Sequence, residues 1–166
     1  MCGRTTVFDD PLRDGRNGVK ILPTILETHN PVDIVIIMLG TNDCKTVYNA
    51  SAEFIGQGVK RLIGQVKNYI PDSKILVISP IHLGEGVWES DYDPEFSSAS
   101  VRLSKELSDN LPPKQNNHLP FVLHGRIPNN INSLLLTQLH TLHISYETLS
   151  ISTNLILCSD FPRNCS

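Results

Sequence analysis

Asp33-Ile34-Val35-Ile36-Ile37-Met38-Leu39-Gly40-Thr41-Asn42-Asp43 carries the strongest structural signal in the chain. From Ile34 to Leu39 the run is apolar and rich in β-branched residues, and it is too short for a buried helix. It predicts a strand buried on both faces, and hence a parallel sheet covered by helices. Gly40 breaks the strand, and three small polar residues come next. In open α/β sheets ligands bind beyond the carboxyl ends of the strands. Asn42 and Asp43 therefore fall where chemistry is usually done. The Asn42 amide offers neutral N–H donors, the kind that stabilise the negative oxygen formed when an ester or amide carbonyl is attacked. On these residues alone a second reading stays open, in which Thr41-Asn42-Asp43 only turns the chain and caps the next segment.

The flanking sequence extends the pattern. Upstream, Ile21, Leu22, Ile25 and Leu26 give one apolar side to a helix running from near Val19 or Leu22 to His29. Pro23 belongs in the first turn of such a helix, and Asn30-Pro31 stops it. Downstream, Ser51 caps a helix whose apolar side is Ile55, Val59, Leu62, Val66 and Tyr69. Pro71-Asp72-Ser73 ends it, and Lys74-Ile75-Leu76-Val77-Ile78-Ser79 reads as a second buried strand. Strand, helix, strand is a βαβ unit. Pro80 to Gly86 leaves the carboxyl end of the second strand on the same sheet edge as Asn42, and the following loop, Val87 to Phe96, carries Trp88 and Tyr92. Ser97 to Asn110 reads as a further helix, with Val101, Leu103 and Leu107 on its apolar side, halted by Leu111-Pro112-Pro113.

Composition sets the bounds. The chain has 166 residues, consistent with one domain. A formal charge of −3 and the lack of a Lys/Arg cluster argue against nucleic acid as a partner. No apolar stretch approaches the roughly 20 residues of a membrane span, and no signal peptide is recognisable. Cys2, Cys44, Cys158 and Cys165 are scattered without zinc spacing, which leads us to expect reduced thiols in a cytoplasmic setting. Cys44, beside the central motif, reads better as a packed small hydrophobe than as a reactive thiol. Asn49-Ala50-Ser51 and Asn164-Cys165-Ser166 fit the N-glycosylation pattern by chance. From Leu111 onward the only charged residues are Lys114, Arg126, Glu147, Asp160 and Arg163. No element of this tail is legible beyond a helix side at Leu134-Leu135-Leu136, Leu139 and Leu142. His118, His124, His140 and His143 lack carboxylate or cysteine companions at metal-site spacing. Gly15-Arg16-Asn17-Gly18 is neither a dinucleotide fingerprint nor a Walker sequence.

Gly3-Arg4-Thr5-Thr6 followed by Asp9-Asp10-Pro11, then Gly15-Arg16-Asn17-Gly18, His29-x-Pro31 and Met38-Leu39-Gly40-Thr41-Asn42-Asp43, form an ordered series. That series resembles the SGNH (GDSL-type) hydrolases, closest to their arylesterase-like branch, over roughly residues 2–110. The resemblance implies a flavodoxin-like three-layer α/β/α sandwich with strand order 2-1-3-4-5, its serine-bearing strand at the centre. It implies ester hydrolysis by a serine from a Gly-Asp-Ser block and a histidine from an Asp-x-x-His block. Carried over by position, Gly3 and Asn42 correspond to the oxyanion-hole donors, with Gly40, Thr41 and Asp43 as the supporting frame. The family needs no metal or organic cofactor.

The sequence departs from that pattern in two places. It contains no Gly-Asp-Ser, and Asp160-Phe161-Pro162-Arg163 ends in arginine where the family has histidine. Neither the nucleophile nor the triad acid and base is present, so we expect an incomplete fold, inactive as it stands. Residues 1–110 are then a partial hydrolase domain, and residues 111–166 an unaligned, aberrant or disordered tail of an altered gene product. The favoured reading is a fragment of a serine ester hydrolase whose partner is a small-molecule ester, with room for a homo-oligomer in the full-length parent. The alternative is a non-catalytic remnant or binding module on the same scaffold. With only two legible strands, the expected product is a two-stranded parallel fragment whose Ile34–Leu39 edge is open to intermolecular pairing.

Overall fold

In the computed structural model of the chain, residues 3–111, 121–123 and 155–159 are described. Helix α1 spans Gly18–His29, strand β1 Ile34–Met38, helix α2 Ala52–Tyr69, strand β2 Lys74–Ile78 and helix α3 Ser98–Asn110. Two short strands, β3 (Phe121–Leu123) and β4 (Leu155–Ser159), complete the described strands, and two 3-10 turns span Asn42–Cys44 and Thr46–Tyr48. The order in the sheet is β3-β2-β1-β4, and every pairing is parallel. Ile34 lies opposite Lys74 on one side and Leu155 on the other. All five residues of β1 are buried, as its continuous apolar run requires.

The side chains of β1 and β2 that point one way, Val35, Ile37, Ile75 and Val77, meet α1 and α2 through Leu22, Leu26, Val59, Leu62 and Val66. A second cluster joins Cys44, Ile55, Leu83, Phe96, Val101 and Leu107, and seats α3 beside α2. The chain is thus an α/β domain on a parallel sheet, with α1 and α2 covering one sheet face.

Helix starts are set by side-chain caps. Asn17 accepts from Lys20 N at α1, Ser51 from Phe54 N at α2, and Ser97 from Ser100 N at α3, where Ser100 reciprocates to form a capping box. Because Asn17 caps α1, the helix begins at Gly18, earlier than expected. Pro23 therefore falls in its second turn and leaves the Val19 carbonyl without the usual amide four residues on. Gln65 of α2 supplies the replacement, donating from Nε2 to that carbonyl at 2.8 Å. Tyr69, expected on the apolar side of α2, is exposed at the last turn.

The largest difference from expectation is at the sheet edge. We expected the tail to leave one edge of β1 unpaired, yet β4 runs along that edge and β3 along the outer edge of β2. The physical reason is that a row of unpaired backbone groups on an apolar strand recruits an extended apolar segment of the same chain as readily as one from a neighbour. Leu155-Ile156-Leu157-Cys158 is such a segment. The expected leucine helix side at residues 134–142 and the four tail histidines lie outside the described residues.

Candidate active site

The site is built where β1 stops. Leu39 is still buried, and Gly40 then takes φ +131, a region L side chains rarely adopt. A Cβ at Gly40 would lie 3.2 Å from Pro80 and 3.3 Å from Ile55, so the chain turns off the sheet only because nothing is there. Thr41, buried, starts a 3-10 turn over Asn42–Cys44, closed by Cys44 N–H to Thr41 O (3.1 Å) and Lys45 N–H to Asn42 O (3.2 Å).

Asn42 and Asp43 then reach back to the beginning of the chain. Asn42, 8% exposed, donates from Nδ2 to the Arg4 carbonyl at 3.2 Å. An amide nitrogen carries two hydrogens; the second on Asn42 has no hydrogen-bond partner among the described residues. Asp43 is wholly buried, and its two carboxylate oxygens share the Thr6 N–H, each at 3.0 Å. The Thr6 hydroxyl donates to the same carboxylate. Gly3 has φ +75 and sits one residue before Arg4. The segments Gly3–Thr6 and Gly40–Asp43 are thus stitched together by both polar side chains of the motif.

Residue types with no local signal complete the frame. Gly58 of α2 faces Thr6, where a Cβ would approach Oγ1 to 2.4 Å, so glycine lets the helix close on this segment. Thr5 N–H donates to Arg16 O, and Gly18 N–H and Val19 N–H donate to Thr5 O and Thr6 O, each at 3.0 Å. Lys45, whose side chain is 4% exposed, forms an ion pair with Glu95, lies 3.5 Å from Asp93 and sits 5.5 Å above the Phe96 ring. Arg13 pairs with Asp10 at 2.7 Å and Glu95 at 3.3 Å. Burial works to raise Asp10, but hydrogen bonds from Arg13 and Leu12 N–H hold its carboxyl below the usual value.

Other candidate nucleophiles are already occupied. Burial, reinforced by the Asp43 charge, pushes the Cys44 thiol up to about 12, and that thiol donates to Gly40 O at 3.4 Å. It is a packed, neutral group. Ser51 and Ser97 are helix caps. Ser79, at the end of β2, is buried and contacts its neighbour Pro80 O at 3.5 Å. No hydrogen bond joins a histidine to a serine among the described residues. Nor do three His, Cys, Asp or Glu residues come together there to hold a metal. Trp88 packs partly buried in the α3 cluster, while Tyr92 is exposed. A cavity of about 390 Å³ lies between the starts of α2 and α3, lined by Cys44, Lys45, Ser51, Ser97 and Arg102 among others. Neither Gly3 nor Asn42 is part of its lining. No described helix is long and apolar enough to cross a membrane.

No protein-family model matches the chain, and no curated protein matches it. Solved structures do. The chain is 36% identical to a carbohydrate acetylesterase from Sinorhizobium meliloti, with a TM-score of 0.57, covering 65% of this chain and 53% of that one. It is 34% identical to an aryl esterase from M. smegmatis in its inhibitor-bound form, with a TM-score of 0.57 and the same coverage. The chain spans about half the length of these structures. The partial resemblance to arylesterase-like SGNH hydrolases holds, and the α/β fold it implies is the one observed.

Proposed function

We propose that this chain is part of a serine ester hydrolase of the SGNH type, acting on small carboxylic esters, and that it carries two of the oxyanion-hole donors. The observation that supports the reading is the Asn42 Nδ2 bond to Arg4 O. It fixes the Asn42 amide beside the backbone of the Gly3 segment and leaves one amide hydrogen for a ligand. A neutral, buried, pre-oriented donor at the end of a parallel strand suits a developing oxyanion, because it needs no reorganisation as charge appears. The Gly3 N–H would be the second donor. Gly40 and Thr41 shape the turn, and Asp43 holds Thr6 so that the two donor segments stay in register. The nucleophile and its base would come from sequence this chain does not contain. The identities of the solved structures favour acetylated carbohydrates or aryl esters as the substrate class.

The test is made in the full-length parent. Asn42→Ala should lower kcat by about 10²–10³-fold with little change in KM, the size expected for one lost oxyanion donor. An unchanged kcat in a folded variant removes Asn42 from the site.

A second reading, a non-catalytic module on the same scaffold, is favoured by the absence of Gly-Asp-Ser and Asp-x-x-His from the sequence. Translation of the flanking genomic DNA in all frames separates the two. Both blocks in reach of a shifted frame favour the enzyme; stop codons without them favour the module.

A further inference from the structure

Five charged residues form a bridge centred on Glu95. This residue belongs to the loop between β2 and α3, and its Oε2 accepts hydrogen bonds from two cations on different segments. Arg13 Nη2 donates from the N-terminal loop at 3.3 Å, and Lys45 Nζ donates from the turn after Asn42. The Glu95 backbone carbonyl also accepts from Thr46 N–H at 2.9 Å and from Thr46 Oγ1 at 3.0 Å. Each cation leads to one donor. The Arg13 guanidinium, held by Asp10 through Nε (2.8 Å) and Nη2 (2.7 Å), lies within 3.8 Å of where a Gly3 Cβ would be. The Lys45 N–H donates to the Asn42 carbonyl at 3.2 Å, which fixes the turn carrying that amide.

We infer that Glu95 is a positioning residue that, through Arg13 and Lys45, sets the placement of Gly3 relative to Asn42. The inference rests on the proposed oxyanion-hole reading for its catalytic meaning, but the coupling itself is a property of this chain. Exposure decides the energetics. The Lys45 ammonium is almost wholly out of water, so it requires a carboxylate partner. Asp93 approaches it only to 3.5 Å, and no ion pair joins Asp93 to Arg13 among the described residues. Among the described residues, Glu95 is the one group that touches both cations. Charge-assisted hydrogen bonds are directional as well as strong, so a carboxylate shared between two segments transmits a displacement of either to the other.

The experiment is a coupling cycle read by NMR on the isotope-labelled chain. Arg13 and Glu95 have side chains 35% and 39% exposed, so Arg13→Gln and Glu95→Gln leave the core intact. Arg13→Gln is expected to shift the Asn42 side-chain NH₂ signals, although Arg13 does not touch Asn42. In a Glu95→Gln background the same substitution should leave those signals where they are. Asp93→Asn removes the charge facing Lys45 but keeps an Oδ1 acceptor for the Glu95 N–H, which Asp93 holds at 3.1 Å; it should preserve the transmission, and the Val59 amide inside α2 should not move in any variant. If Glu95→Gln does not fold, the cycle is closed in Glu95→Asp, whose shorter carboxylate is expected to lose Arg13 in the same way. Asn42 signals that ignore Arg13, or that respond equally with and without Glu95, overturn the inference. The outcome is independent of the kinetic test on the parent: a catalytically irrelevant Asn42 would still report the coupling, and a missing coupling would leave the kinetic result standing.

Discussion

Burial of Cys44 against Asp43 makes the chain sensitive to alkali. The thiol is raised from 9.0 to about 12 in the folded state, so between those values the unfolded chain has lost a proton that the native chain keeps. Stability is therefore fully present below pH 9 and is lost as pH rises toward 12. Three units correspond to at most about 4 kcal/mol. Tyr48, raised to about 12 first by burial and then by neighbouring carboxylates, adds to the same limb. Cys44→Ala should be somewhat less stable at pH 7 and lose less between pH 9 and 11; urea midpoints across that range measure it, and an equal alkaline loss in both chains would mean the thiol is not the cause. The sequence revealed this neighbourhood only in part. Gly40, Thr41, Asn42 and Asp43 were readable because an apolar run ends there. Their partners Arg4 and Thr6 lie 38 and 37 residues away, and were legible only through the family resemblance. Lys45 and Glu95 were not legible at all, since a lysine in a polar turn reads as solvated.

Between elements, the hydrogen bond exchanged by α1 and α2 makes a testable pair. Pro23 removes the amide that would serve Val19 O, and Gln65 Nε2 occupies that carbonyl. Gln65→Leu should cost about 1 kcal/mol, the typical worth of a hydrogen bond whose loss leaves a carbonyl without a donor. In a Pro23→Ala background the helix supplies its own amide, and the same Gln65→Leu should become nearly neutral. Chemical denaturation of the four chains measures the coupling; equal costs in both backgrounds would show that Gln65 serves only its own packing. Helix existence and apolar faces were legible from periodicity and caps, since Ser51 and Ser97 cap where the pattern begins. The start of α1 was legible only to within a few residues, near Val19 or Leu22, because its cap Asn17 comes after a turn-like Gly15-Arg16 and reads as loop. The role of Gln65 could not be seen, because it depends on how two helices lie side by side.

For the molecule as a whole, the sheet is completed by strands that no local pattern announced. Ile34–Met38 and Lys74–Ile78 were clear from continuous apolar character, whereas Phe121–Leu123 and Leu155–Ser159 are short segments in a charge-poor tail that identifies no register. Removing residues 112–166 would delete both and reopen the outer edges of β1 and β2. The truncated chain should aggregate or melt without cooperativity, because exposed apolar edges pair between molecules. Size exclusion and thermal scanning of the two chains decide it; an equally sharp melt in the truncated monomer would mean β3 and β4 contribute no stability. The register that sets Ile34 beside Leu155 also imposes a delay. A ribosome adds about 5–20 residues per second. The edge of β1 must therefore wait on the order of ten seconds after its own synthesis before β4 exists to cover it. During that interval the nascent chain presents a bare β-edge to neighbouring polysomes. Its yield in the cell should then follow translation speed and chaperone supply more closely than equilibrium stability.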